Sequence, residues 1–235
     1  MKYLNWDQKT VTDFSEKNLR EMYEKGYVFT RIDRGVMQQT RSVRLDLSKF
    51  ELTSENRRII KKVPDLMIQS VDLPLGGAAS DLGGRTSSYD FTIGKLAKDF
   101  YETKFGPGIM SAQKVKEMLT DQSKSNFNCL LNFSLNENAP IGFAIVYTTP
   151  TFMHYSYPFY NLNESAKDMG LAMMVKTIVF AKESGLKYVY LGSLQRPTDT
   201  YKLQFEGLEW FNRKEWSKDL EEVKKLLTMS DMVTG

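Results

Sequence analysis

Gly170 stands just ahead of a run free of Gly and Pro, within the stretch 165–193, SAKDMGLAMMVKTIVFAKESGLKYVYLGS. A helix N-terminus fed by a glycine-containing loop presents unpaired N–H groups and the positive end of the helix dipole, so it is a ready phosphate site. The same glycine would serve equally to relieve crowding between packed elements. A second grouping, Arg57, Arg58, Lys61 and Lys62 in FELTSENRRIIKK, offers either an anion patch or a solvated helix face. In a third, MHYSYPFY at 153–160, Tyr155, Tyr157 and Tyr160 accompany His154. Such a row either lines a ligand cleft or packs. His154 has no visible acid or nucleophile partner, which points to a structural histidine. Tyr201 and Lys202 are adjacent: the phenol either reacts or packs with its hydroxyl on a carbonyl, and the amine meets phosphate or solvent. Cys129, inside an apolar run, reads as a small buried residue and not as a nucleophile.

The elements that must hold these residues follow from periodicity. Asp13 or Ser15 caps a helix over about 16–25, with Leu19, Met22 and Tyr23 inward and Gly26 ending it. Tyr27 to Gly35 reads as strand and turn. Gln39 to Leu47, with Val43, Leu45 and Leu47 alternating against Ser42, Arg44 and Asp46, reads as a half-buried antiparallel strand, the two segments forming a hairpin. Thr53 or Ser54 caps the basic helix, where Asn56 makes Thr53–Asn56 a near-miss of a capping box. Leu73 to Ser88, with two Gly-Gly pairs, is expected to be a mobile loop. Helices are expected over Tyr89–Lys104 and after Ser111, and the strands Phe127–Ser134 and Ile141–Thr148 make a hairpin across Asn136–Pro140. Met153–Tyr160 is the next strand. In the stretch that opens this section, Leu171, Met174, Val175, Ile178 and Ala181 mark one helix face, Gly185 its end, and Tyr188–Leu191 a buried strand closing at Gly192. Leu220–Leu227 is a surface helix, frayed after Thr228.

Composition narrows the class. A chain of 235 residues, 41% hydrophobic, is long enough for a real core. Without an apolar run of transmembrane length or an N-terminal h-region, neither a membrane span nor a signal peptide is expected. One cysteine excludes an intrachain disulfide framework and suggests a reducing, cytoplasmic setting. One histidine and one cysteine leave little for a transition-metal site, so no metal is expected. At net charge +3, contact with nucleic acid would rest on a local patch.

Antiparallel strands, a glycine loop, a helix and a parallel-type strand are in the order of an acyltransferase core. KDMGLA, Lys167 to Ala172, resembles the Q/R-x-x-G-x-G/A pyrophosphate loop of the GCN5-related N-acetyltransferases, with Lys at the first position and Ala at the last. Three stretches resemble the arginyl-tRNA–protein transferases and their leucyl relatives. LTSENRRIIKK, Leu52 to Lys62, is similar to their S-x-x-x-R-R helix. DMGLAMMVKTIVFAKESGLKYVYLGS is similar to their SLG-start helix and YLGY strand. TYKLQFEGLE, Thr200 to Glu209, is similar to M-x-Y-K-x-x-F-x-P-x-E, with Gly207 in the place of Pro. The resemblance runs from about Gly26 to Trp216.

The resemblance implies an α/β (α+β) fold: one acetyltransferase-like domain over 1–235, a mixed, mostly antiparallel sheet flanked by helices. It also implies transfer of an amino acid from charged tRNA to the N-terminal amine of a protein or peptide, with no cofactor. In that scheme Tyr201 is the catalytic acid. Lys167, Gly170, Leu171, Ala172 and Lys202 hold the donor, while Arg57, Arg58, Tyr155, Tyr157, Tyr160 and Tyr190 meet the substrate. The family's cysteine cluster has no counterpart in IDRGVMQQTRSVRLDL, so metal-linked regulation through it is not expected. Two alternatives stay open: an acyl-CoA-dependent N-acyltransferase, and a non-catalytic peptide- or RNA-binding module of the same fold.

Overall fold

The computed structural model describes residues 4–76, 88–135, 139–163 and 166–232. Helix α1 (Glu16–Glu24) starts at Ser15, whose hydroxyl accepts the Asn18 N–H, and buries Leu19, Met22 and Tyr23 as the periodicity predicts. Gly26 follows at φ +76°, where a Cβ would run into the Phe211 ring. Strands β1 (Asp7–Thr10), β2 (Tyr27–Phe29) and β3 (Val36–Gln39) form a small antiparallel sheet in the order β1-β3-β2.

The alternating segment 39–47 is not one half-buried strand. It breaks at Thr40–Arg41, and β4 (Ser42–Asp46) enters a second sheet with all of its residues buried. The expected hairpin is therefore made by β2 and β3 alone. Because β4 lies inside the large sheet, its polar residues are paired instead of solvated. The Ser42 hydroxyl donates to the Gly26 carbonyl at 2.7 Å, Arg44 pairs with Glu24 and Glu209, and Asp46 pairs with Lys49.

The large sheet runs β11-β10-β4-β9-β8-β7-β6-β5. Its remaining strands are β5 (Leu66–Asp72), β6 (Cys129–Leu135), β7 (Gly142–Thr148), β8 (Phe152–Tyr160), β9 (Tyr188–Ser193), β10 (Leu208–Phe211) and β11 (Trp216–Ser217). Every neighbouring pair is antiparallel except β8 and β9, which are parallel across helix α5 (Met169–Glu183). This is the expected mixed, mostly antiparallel sheet flanked by helices. β5 has no counterpart in the sequence reading, because an edge strand that buries only Leu66 and Val71 has little alternation to show.

One face of the sheet carries α2 (Ser54–Lys61), α5 and α6 (Leu220–Met232), packed through Ile59, Met174, Ile178, Val223 and Leu227. The other carries α1, α3 (Phe91–Phe105), α4 (Ala112–Thr120) and the small sheet, packed through Tyr23, Phe29, Phe100 and Val115. Asn56 completes a true capping box with Thr53, its side-chain oxygen accepting the Thr53 N–H. Helix α6 continues to Met232, past the expected fraying point. Most of the expected loop 73–88 and part of the turn 136–140 lie outside the described residues, while Leu73 and Leu75 are buried. Among the described residues no helix is long and apolar enough to cross a membrane.

Candidate active site

Strands β8 and β9 pair only through Phe152↔Tyr188, Met153↔Val189 and His154↔Tyr190. Past His154, β8 follows β7 through a bulge, Tyr155 opposing Val146 and Tyr157 opposing Ile145. β9 instead follows β4, ending at Ser42↔Ser193. The two parallel strands thus lose each other midway, and the opening is furnished by a 3₁₀ helix, Pro197–Gln204.

Lys202 from this helix donates its Nζ to the Ser193 carbonyl at 3.0 Å. Burial holds the amine below the ordinary lysine range, with Asp199 pulling it up and Arg196 pushing it down. Tyr155 is 2% exposed, and among the described residues its hydroxyl has no hydrogen-bond partner. Burial drives that hydroxyl far up, helped by the nearby phenols of Tyr201, Tyr101 and Tyr160. Tyr201 is 45% exposed at the rim, its hydroxyl pushed up to about 12 by partial burial and then by Asp199. Asp199 Oδ2 accepts the N–H groups of Gln195 and Arg196 at 2.8 and 2.9 Å, which fixes the entry to the 3₁₀ helix. The Arg196 guanidinium lies 4.7 Å over the Phe105 ring.

Of the residues expected at the site, Tyr155, Tyr160, Tyr201 and Lys202 come together here. The row MHYSYPFY splits, because the bulge shifts its parity. Tyr157 packs with the opposite core beside Phe127, under the Arg31 guanidinium at 5.6 Å. Tyr190 is also on that opposite side, buried against Tyr23 and Trp216, its hydroxyl raised by burial and restrained by Arg44. His154 is the structural residue its isolation suggested: Nδ1 meets the Tyr23 hydroxyl at 2.9 Å, and burial, then Lys202, pushes it down to about 3. Cys129 is 3% exposed with its thiol pushed up to about 12 by burial, an inert packing residue.

The start of α5 borders the gap. Gly170 does approach something closely, but it is Tyr160: a Cβ there would sit 3.2 Å from Tyr160 Cε1. The Gly170 N–H also faces the Tyr160 hydroxyl. Asp168, in a left-handed conformation at φ +70°, caps the helix by position without a side-chain cap bond. Its carboxylate instead takes Lys62 Nζ at 2.5 Å. Lys167 is exposed, Leu171 half-buried and Ala172 buried in the core. Arg57 and Arg58 are outside the gap, on α2 next to this loop. Arg57 donates to the Leu52 carbonyl and Arg58 to Glu55, so both lie on a solvated face.

Sequence reasoning missed Arg196, Asp199 and Tyr101. Asp199 had a signal, an Asp two residues after Pro197 at a helix start. Tyr101, whose hydroxyl donates to the Pro158 carbonyl at 3.2 Å, had only its place on the α3 inner face. Among the described residues no group of three or more His, Cys, Asp or Glu side chains could hold a metal ion.

Residues 96–212, close to half of the chain, match the family model of the arginine-tRNA-protein transferase C terminus. The match takes in β8, β9, α5 and the 3₁₀ helix, including two of the three resembling stretches; Leu52–Lys62 lies before it. No curated protein matches the chain. Among solved structures, the lysylphosphatidylglycerol synthetase C-terminal domain from Agrobacterium fabrum aligns at 12% identity and TM-score 0.43, covering 77% of this chain and 52% of that one. L-PGS from Bacillus licheniformis aligns at 12% identity and TM-score 0.47, covering 91% and 69% respectively. A fungal GCN5-related glucosamine N-acetyltransferase region aligns at 11% identity and TM-score 0.45, covering 86% and 23%. The chain thus spans about half the length of the first of these. Over residues 96–212 the chain is thus similar to the C-terminal part of the arginine-tRNA-protein transferases.

Proposed function

We propose that this chain, acting as one acetyltransferase-like domain, moves an amino acid from a charged tRNA to the N-terminal amine of a protein or peptide. The observation that carries this reading is the family match across β8, β9, α5 and the 3₁₀ helix at the gap. In the reaction the neutral amine attacks the ester carbonyl, a C–N bond forms, and the ester C–O bond to the tRNA ribose breaks. The attacking amine must lose a proton, and the leaving ribose oxygen must gain one. Lys202, held below its ordinary range, takes the first proton, and Tyr201 at the rim supplies the second. Tyr155, with a buried hydroxyl that has no partner among the described residues, hydrogen-bonds the oxyanion as it develops. No cofactor or metal enters this scheme. The acceptor is the exposed N-terminus that marks a protein for degradation, and the setting is the cytoplasm. Tyr160 borders the acceptor, while Lys167, Arg57 and Arg58 line the approach of the tRNA.

The experiment is label transfer from a mixed pool of charged tRNA to peptides beginning with Asp, Glu, Lys or Arg. A ribonuclease-treated pool and labelled acetyl-CoA run beside it. Ribonuclease-sensitive transfer is the expected result. Transfer from acetyl-CoA alone would replace this reading with acyl-CoA chemistry. That alternative is favoured by KDMGLA, yet the Gly170 N–H faces Tyr160 and the Asp168 carboxylate stands at the loop, both poorly suited to pyrophosphate.

A further inference from the structure

Arg41 is 9% exposed, its Nη1 is fully covered, and among the described residues its side chain has no hydrogen bond or ion pair. The contrast with Arg44, 6% exposed, is direct: Arg44 meets Glu24 at 2.8 Å and Glu209 at 3.0 Å. Arg41 has no such carboxylate, and burial alone acts on it, lowering its pKa. An arginine stays charged at any accessible pH, so a covered guanidinium without a partner is a cost the folded chain carries unless a ligand offsets it.

Its place in the fold is defined by the backbone. The Arg41 carbonyl accepts the Leu194 N–H at 2.9 Å, and the next residue pairs as Ser42↔Ser193. Arg41 therefore stands at the outgoing end of β9, one strand from the gap between β8 and β9. The polar side chains around this corner are occupied with each other. Gln195 Nε2 donates to Thr40 Oγ1 at 2.8 Å and to Ser193 Oγ at 3.0 Å, and the Thr40 hydroxyl donates to the Leu4 carbonyl. None turns to Arg41.

We propose that Arg41 binds a carboxylate, free or borne by a peptide, at the sheet end beside the gap. One isolated guanidinium supplies one charge in a planar fork, which matches a carboxylate. A nucleic-acid backbone would call for several cations together. The binding itself does not depend on the transfer reaction.

The test is thermal unfolding and titration calorimetry of the intact chain with acetate, glutarate and inorganic phosphate, at constant ionic strength against chloride. Peptides ending in a free carboxylate or an amide form a second arm, which separates free from peptide-borne acids. Wild type should gain thermal stability with carboxylate in a saturable way, and Arg41→Met should lose that gain. Ligand-free Arg41→Met should melt no lower than wild type, because it sheds an uncompensated charge, and Arg41→Lys should keep part of the response. A gain that persists in Arg41→Met, a larger gain with phosphate, or none in wild type at tens of millimolar overturns the proposal. The wild-type titration stands even if a variant fails to fold.

Discussion

Lys202 and His154 share one electrostatic neighbourhood but answer to different demands. Burial lowers the Lys202 amine, so the unfolded chain holds its proton to higher pH than the folded one. Stability therefore rises with pH as the solution passes from the folded value toward the ordinary 10.5. Lys202→Met should match or exceed wild-type stability at neutral pH, with the difference shrinking toward pH 10, as followed by urea unfolding. The same variant should cut aminoacyl transfer by about 10²–10⁴-fold, the range for loss of a general base. Retained transfer would leave Lys202 as a structural tie to Ser193. For His154 the folded value is about 3 against 6.5, so the folded imidazole refuses a proton that the unfolded one accepts. Stability is lost as pH falls through that window, about 3 kcal/mol by pH 4. His154→Gln keeps an acceptor for Tyr23 without the titration, and its acid limb should be flatter by that amount. A parallel acid limb in the two proteins would contradict the assignment.

At the scale of elements, α5 joins the core to the gap, and Gly170 is its point of contact. Valine there would press on the Tyr160 ring, which a bare Cβ already meets at 3.2 Å. Gly170→Val should lower transfer at least about tenfold, by moving Tyr160 and closing the loop, with circular dichroism near native. Full activity would exclude the start of α5 from donor binding. Most of this element was legible beforehand: Leu171, Met174, Val175, Ile178 and Ala181 fall every three or four residues, and Gly185 takes φ +78° just past the helix end. So were the starts at Ser15 and Ser111, because side-chain caps are local chemistry. What escaped was set by distant partners. One extra residue opposite Ile145 and Val146 puts Tyr155 and Tyr157 on opposite faces, and nothing in MHYSYPFY announces it. Ser42 and Arg44 read as a solvated face because their partners, Gly26, Glu24 and Glu209, lie elsewhere in the chain. Gly170 had two readings, a phosphate approach or relief of crowding, and the Tyr160 ring 3.2 Å from its Cβ position fits the second.

Across the whole molecule, Arg44 binds three parts of the chain at once. From β4 it reaches Glu24 at the end of α1 and Glu209 on β10, while its guanidinium lies 4.3 Å from the Tyr188 ring and 4.1 Å from that of Trp216. Burial opposes its charge, but Glu24 and Tyr190 together more than restore it, and its pKa ends above the ordinary value. Glu209 is 8% exposed, so deleting Arg44 leaves a carboxylate covered by protein and without its main counter-charge, Lys218 reaching it only at 4.0 Å. Breaking a buried pair from one side costs about 3–5 kcal/mol, because the survivor keeps its desolvation penalty. In a chain of this length that is a fall of about 6–20 °C in Tm for Arg44→Ala. Replacing the pair together, Arg44→Met with Glu209→Leu, removes the stranded charge and should recover most of the loss. Equal losses in the single and double variants would mean that Arg44 acts through its packing on Tyr188 and Trp216. That distinction bears on function, since β4 also carries the wall of β9: if the ion pairs hold the sheet, the single variant should lose transfer activity in step with stability. If packing alone holds it, both variants should lose them together.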